Sequence, residues 1–245
     1  MSAAGLDLAE LERVRAAMET DARRRVDPIH AVPEGSPLDR ELAAFVCAGL
    51  AFGNVQAIQR SVRATVDALA AGAALPFAVH RWVRGPDIEH VAGRIRELQA
   101  RHGSLGRAYL EGYAPGDPRG STSRWIRALA QGVPATRGTT ALLTDPARGS
   151  ACKRLCLFLR WMVRRDFPDL GLWPEIAPSD LRAPLDVHVI AFARRAGLTR
   201  RGTADWRMAE EVTAAFARHW PEDPLRYDFA ISHWGMVHGW RKDLS

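Results

Sequence analysis

The sequence predicts an all-α fold of about ten helices. Apolar residues recur at three- and four-residue spacing along nearly the whole chain. Clusters of Pro and Gly punctuate those runs. No stretch shows the sustained apolar–polar alternation of a half-buried strand, Phe77–Val83 coming nearest. There is no internal repeat and no low-complexity linker.

Taken in order, Leu6–Glu19 is a charged amphipathic helix, and Asp27–Pro37, with Pro28, Pro33, Gly35 and Pro37, is a loop. Leu38–Phe52, rich in alanine, reads as a buried helix that Gly53-Asn54 breaks. Val55–Ala71 places Ile58, Val62, Thr65, Val66 and Leu69 on one face and ends in Gly72–Pro76. Asp87–Arg101 repeats the pattern with Ile88, Val91, Ile95 and Leu98. A short helix covers Leu105–Glu111, and the loop Gly112–Gly120 leads to Ser121 or Ser123 as N-cap of Arg124–Gln131. Gly132–Thr139 is irregular, Thr140–Leu143 forms one turn, and Thr144–Ser150 is a Pro/Gly turn before the helix Ala151–Arg165. Asp166–Pro184 is mostly loop, after which Asp186–Ala196, Thr203–His219 and Pro224–Trp240 complete the set. The chain ends are expected to pack in one lobe, residues 1–39 with 166–245, beside a lobe of residues 40–165.

No apolar run approaches the length of a membrane span, and Met1–Glu12 does not read as a signal peptide. The expectation is a cytoplasmic, nucleoid-associated protein that acts as a monomer. Cys47, Cys152 and Cys156 are odd in number and form no Cys-x-x-Cys unit, which argues against a disulfide framework or a four-ligand metal site. His188, His233 and His238 show no metal-binding spacing, so no metal or other cofactor is expected. The net charge of +6 favours a polyanionic partner.

The basic residues are unevenly chosen. Of 34, only Lys153 and Lys242 are lysine. An amine can lose its proton and attack carbon, whereas a guanidinium effectively cannot. Lys153 lies in the first helical turn after Thr144-Asp-Pro-Ala-Arg-Gly-Ser150. Such a turn offers backbone N–H groups to phosphate, and the positive end of a helix works against an ammonium form. Residues Lys153, Arg160 and Arg164 share a helix face opposite Leu155, Phe158 and Met162, either as a solvated stripe or as a DNA-facing one. Farther on, Pro184-Leu-Asp186-Val-His188-Val places an aspartate where the next helix begins. Its plain role is an N-cap, and one helix plus one loop is enough chain to return that carboxylate beside the lysine.

A Gly-x-x-x-Lys turn at Gly149–Lys153, a helix, and then Pro184–Val189 resemble the helix-hairpin-helix DNA glycosylase superfamily. Within it, Asp169-Leu-Gly-Leu-Trp173 and Pro184–Val189 look most like a bacterial branch related to archaeal 8-oxoguanine DNA glycosylases. The motif match covers roughly residues 145–189, with weaker similarity in 27–69 and 227–236. The resemblance implies a two-lobed helical fold and a bifunctional base-excision enzyme acting on double-stranded DNA. Lys153 would attack C1′ of the damaged nucleoside, release the base and form a Schiff base that permits β-elimination. Asp186 would assist the amine and stabilise positive charge on the sugar. Arg148, Gly149, Ser150, Arg160 and Arg164 would meet the DNA backbone. Trp173 and Trp234 would stack on an extruded base, with Asp228 and His233 at its polar edge. His188 would orient Asp186 or touch a phosphate. The chain departs from the better-known pattern in having Ala151 at the second hairpin glycine, no four-cysteine cluster, and no evident wedge glutamine, for which Phe52 or Asn54 would stand in. The expected substrate is 8-oxoguanine. An oxidised pyrimidine, as for endonuclease III, and a catalytically silent damage-binding protein are the alternatives.

Overall fold

In a computed structural model, which describes residues 6–240, the chain is all-α, with a single two-stranded hairpin among those residues. Helices α1 (Leu8–Met18), α2 (Asp21–Arg24), α3 (Pro37–Gly49) and α4 (Val55–Ala70) precede strands β1 (Ala78–His80) and β2 (Val83–Arg84). Helices α5 (Gly85–His102), α6 (Leu105–Leu110), α7 (Pro118–Ala130) and α8 (Arg137–Leu142) follow. The remainder is α9 (Lys153–Val163), α10 (Val187–Arg195), α11 (Trp206–Ala217) and α12 (Asp228–His238). Twelve helices stand against about ten expected. The extra ones are the four-residue α2, which no apolar periodicity marks, and a full α8 where one turn was anticipated.

The caps show why helices start where they do. Ser36, Asn54, Asp186 and Asp205 each accept backbone N–H bonds from the first turn they precede. Helix α7 begins well before the predicted Arg124. Its N-cap is Asp117, followed by Pro118, while Ser121 and Ser123 lie buried inside the helix. Phe77–Val83 does contain strand: β1 and β2 pair antiparallel across a two-residue turn of Arg81 and Trp82. Arg81 takes φ 52° there, a conformation that such turns usually assign to glycine.

Helix α3 lies at the centre, packed on α4, α5 and α9, and α5 in turn carries α6, α7 and α8. At the other end α12 packs on both α1 and α10, so the two ends of the described chain meet. One hydrophobic core runs through both groups, from Leu11 and Phe45 to Trp206 and Ile231, and Val14, Met18 and Ala230 form a small satellite. No helix of the described residues is long and apolar enough to cross a membrane. The three cysteines are free and buried. Lys242 lies outside the described residues.

A buried carboxylate that sequence reasoning passed over ties this centre together. Glu41 on α3 accepts the N–H groups of Leu105 (2.8 Å) and Gly106 (3.0 Å) at the start of α6. It also accepts Gln99 Nε2 (2.9 Å) and Trp173 Nε1 (2.7 Å). A charge taken out of water is tolerable only with such a full set of donors. Gly106 is required by this arrangement, since a Cβ there would sit 2.6 Å from Trp173 Cδ1.

Candidate active site

A cleft of about 600 Å³ opens between the two groups of helices. Ala51 and Val55 form one rim, Lys153 and Leu157 of α9 the back, and Pro184 and Asp186 the opposite side. Asp228, Ser232 and Met236, spaced four apart on α12, close it.

Lys153 is the first residue of α9 and is half-buried. Its Nζ donates to the Ala51 carbonyl at 3.2 Å. The turn that delivers it uses two left-handed residues, Gly149 at φ 87° and Cys152 at φ 47°. Ala151 thus escapes the strained position, which passes to the cysteine after it. The turn is anchored from outside: Trp206 N–H donates to Gly149 O at 3.0 Å, and Ser150 bridges Asp205. Inside it, the N–H groups of Ala147, Arg148, Gly149 and Cys152 already have partners. Ser150 and Arg148 are exposed at its tip.

Asp186 is the helix cap foreseen for it and lines the cleft that Lys153 also lines, without an ion pair between the two among the described residues. It caps α10, its Oδ1 accepting His188 N–H and Val189 N–H, each at 2.8 Å. Its Oδ2 accepts the Ser232 hydroxyl, and the carboxylate faces the same cleft as Lys153. Ser232 went unnoticed in the sequence. Its signal was there, since it stands one helical turn after Asp228.

Asp228 and His233 both line the cleft within a buried polar network, but His233 does not offer a polar edge to a base as predicted, because both of its ring nitrogens are engaged. Arg160 Nη1 donates to Asp228 Oδ2 at 2.5 Å, and no donor among the described residues meets Asp228 Oδ1. Burial pushes the Asp228 carboxyl up to about 6, against the pull of Arg160 and with the repulsion of Asp186. His233 Nε2 pairs with Asp27 Oδ2 at 3.1 Å and its Nδ1 accepts Arg23 Nε at 3.4 Å. Burial alone would raise the Asp27 carboxyl, but the hydrogen bond from His233 and the nearby charge of Arg160 hold it below the usual range.

The raised Asp228 carboxyl has a consequence for stability. Between about pH 4 and about pH 6 the folded protein keeps a proton that the unfolded chain has lost. The stabilisation is complete below about pH 4 and disappears as pH rises through about 6. Asp228→Asn removes this titration. Wild type is expected to lose roughly 2 kcal/mol relative to the variant between pH 4 and pH 7.5, read by urea denaturation at both pH values. A difference that does not change with pH would mean that the folded chain tolerates the ionised carboxylate without cost.

Several predicted contacts are corrected. Arg160 and Arg164 do not form a DNA-facing stripe: both are 2% exposed. Arg160 Nε meets Asp169 at 3.1 Å, and Arg164 grips Asp223 with Nε and Nη2, both at 2.9 Å, while its Nη1 reaches Asp169. The charged face of α9 points at aspartates of the following segments, because a guanidinium can be buried where carboxylates surround it. Trp173 is no stacking platform. It is buried edge-on against Trp125 and Phe158 and bonded to Glu41. Trp234 lies away from the cleft, against His238 and Trp240. Phe52 turns outward and stacks on Trp82 at 4.8 Å, and Asn54 has its side-chain oxygen engaged as the cap of α4. His188 serves Asp186 through its backbone N–H, with its ring against Gly235.

An amine and a carboxylate in a partly enclosed cleft with apolar walls can perform covalent catalysis at an electrophilic carbon. Searches of curated proteins and of solved structures find no match for this chain. Residues 27–237, which include every lining residue of the cleft except Val26, match one family, and the chain belongs to it: the proteins of unknown function DUF2400.

Proposed function

We propose that this protein is a DNA base-excision glycosylase with an associated AP lyase activity, in which Lys153 is the nucleophile and Asp186 its carboxylate partner. The observation that carries the reading is that these two residues, from the starts of separate helices, line one cleft, Lys153 following the Gly149–Ser150 turn. The α8–turn–α9 arrangement supports it, as does the exposed, arginine-bearing tip of that turn.

In this reading the damaged base leaves the duplex stack and enters the cleft. The Lys153 amine attacks C1′, the glycosidic bond breaks, and the base departs with the bonding electron pair and a proton. The sugar ring opens to a Schiff base, and β-elimination then cleaves the strand on the 3′ side. Asp186 stabilises the positive charge that develops on the sugar. The free Oδ1 of Asp228 is an acceptor, suited to the N–H donors along the Watson–Crick edge of an oxidised guanine. The substrate proposed is 8-oxoguanine, with oxidised pyrimidines, whose N3–H would meet the same acceptor, as the alternative. The partner is double-stranded DNA, which places the protein at the nucleoid in the cytoplasm.

Borohydride trapping on duplexes containing 8-oxoguanine, 5-hydroxyuracil, thymine glycol, uracil or an abasic site tests this. A covalent adduct with the 8-oxoguanine duplex is expected. An adduct only with pyrimidine lesions would move the substrate to the endonuclease III class. No adduct with any duplex, from folded protein that binds DNA, would leave a damage-binding protein.

A further inference from the structure

A second concavity, an open groove of about 1100 Å³, is lined by the β-hairpin, α8, the turn after it and α9. Trp82, Thr136, Arg137, Thr140, Arg148 and Arg154 are among its lining residues. Consecutive side chains of α9 divide the two spaces. Lys153 reaches the Ala51 carbonyl from the cleft, whereas Arg154 lines the groove and donates to Gly49 O at 3.1 Å and Ala141 O at 2.5 Å.

The groove holds an ordered stack of cations and rings. The Arg154 guanidinium lies 4.9 Å from the Phe52 ring centroid, Phe52 stacks on Trp82 at 4.8 Å, and Arg137 covers Trp82 at 4.8 Å. Arg81, at the tip of the β-hairpin, approaches the same Trp82 ring at 5.7 Å. The assembly is fastened from beneath. Buried His80 of β1 contacts Phe52 O at 2.7 Å and Ser61 Oγ at 3.0 Å, so hairpin and loop are held together.

These cations lack counter-charges. Among the described residues, no carboxylate forms an ion pair with Arg81, Arg137, Arg148 or Arg154. The one acid in the groove wall, Asp145, is occupied by Ser123 and Arg127. Arg154 is half-buried as well, and burial holds its guanidinium below the ordinary arginine value. This contrasts with Arg160 and Arg164, whose charges are matched by buried aspartates. A partly desolvated guanidinium bound only to carbonyls is a place for an external anion.

We infer that this groove is a second nucleic-acid site, which takes a segment of unpaired DNA: phosphates lie along Arg137, Arg148 and Arg154, and one base stacks on Trp82 in the place of the Arg137 guanidinium. Cations alone would fit the backbone of a duplex equally well. An indole covered on its open side by exposed arginines, Arg137 and Arg81, rather than by packed apolar side chains fits an unstacked base, which a paired duplex does not offer. The inference extends the glycosylase reading to another contact with the same polymer, but its test requires neither a lesion nor chemistry.

The test is fluorescence anisotropy with a short labelled oligo(dT), a hairpin duplex of matched length, and oligo(rU). Wild type is expected to bind oligo(dT) at this groove independently of its duplex affinity, so that groove variants lower the first and spare the second. Arg137→Ala and Trp82→Ala should each weaken oligo(dT) binding about tenfold, and Trp82→Phe should restore most of that loss. Arg137→Ala should also make the logarithmic salt dependence shallower by about 0.7. Arg137 is exposed, so its variant keeps the fold even if Trp82→Ala does not. Wild-type oligo(dT) affinity in Arg137→Ala, an equal loss of duplex affinity in that variant, or a preference for oligo(rU) would each overturn the assignment. Absence of borohydride trapping would overturn the glycosylase reading alone and leave this result intact.

Discussion

Lys153→Gln is expected to abolish borohydride trapping on every lesion duplex while leaving the protein folded. The composition makes this a clean experiment. The chain has two lysines, and the other, Lys242, is far along the sequence. Lys242→Gln should therefore trap like wild type. Structurally the substitution is mild. Lys153 occupies the first position of α9, is half-buried, and makes one hydrogen bond, to Ala51 O. Glutamine is a comparable helix former and retains an N–H donor on a similar stem. A stability change within about 1 kcal/mol is expected, read by thermal unfolding. A Schiff base, by contrast, needs a primary amine, and glutamine has none. Persistence of the adduct in Lys153→Gln, with its loss in Lys242→Gln or after blocking the α-amino group, would move the nucleophile elsewhere and remove the chemical basis of the proposed function.

What the sequence disclosed and what it concealed follow from helical geometry and charge. The 3.6-residue period located α3, α4, α5, α9, α10, α11 and α12 to within a few residues, because each buries a broad apolar face. It missed α2, where three charged residues and one alanine leave no such face. On α12 the same period was informative but unread. Asp228, Ser232 and Met236 share the cleft side, and Trp234, more than half a turn away from them, cannot join it. On α9 the face was read correctly and its surroundings were not. Periodicity groups Lys153 with Arg160, yet it cannot say whether a charged stripe meets solvent or a set of aspartates from sequence positions 169, 223 and 228. Trp173 shows the converse limit. Its neighbours Glu41, Tyr109 and Trp125 are distant in sequence, and only the folded chain brings them around it.

Asp186 presents the sharpest division between holding the fold and performing chemistry, because one carboxylate serves both. Its Oδ1 caps α10 through His188 and Val189, and its Oδ2 takes the Ser232 hydroxyl. Asparagine can reproduce nearly all of this. Its carbonyl oxygen remains an excellent cap, and its amide can donate to Ser232, whose hydroxyl reverses from donor to acceptor. Asp186→Asn should therefore unfold like wild type, whereas Asp186→Ala, which also loses the cap, should be about 1 kcal/mol less stable. Only the negative charge is removed from the cleft in the asparagine variant. If that charge assists the amine and steadies the positive sugar, single-turnover release of 8-oxoguanine should slow about 10²–10⁴-fold, with DNA affinity little changed. Equal slowing in both variants, despite their different stabilities, would assign the loss to the charge. A wild-type rate in Asp186→Asn would make the aspartate a helix cap alone, and the cleft would then have to supply its carboxylate from Asp228, the other acid on its wall that keeps an unbonded oxygen.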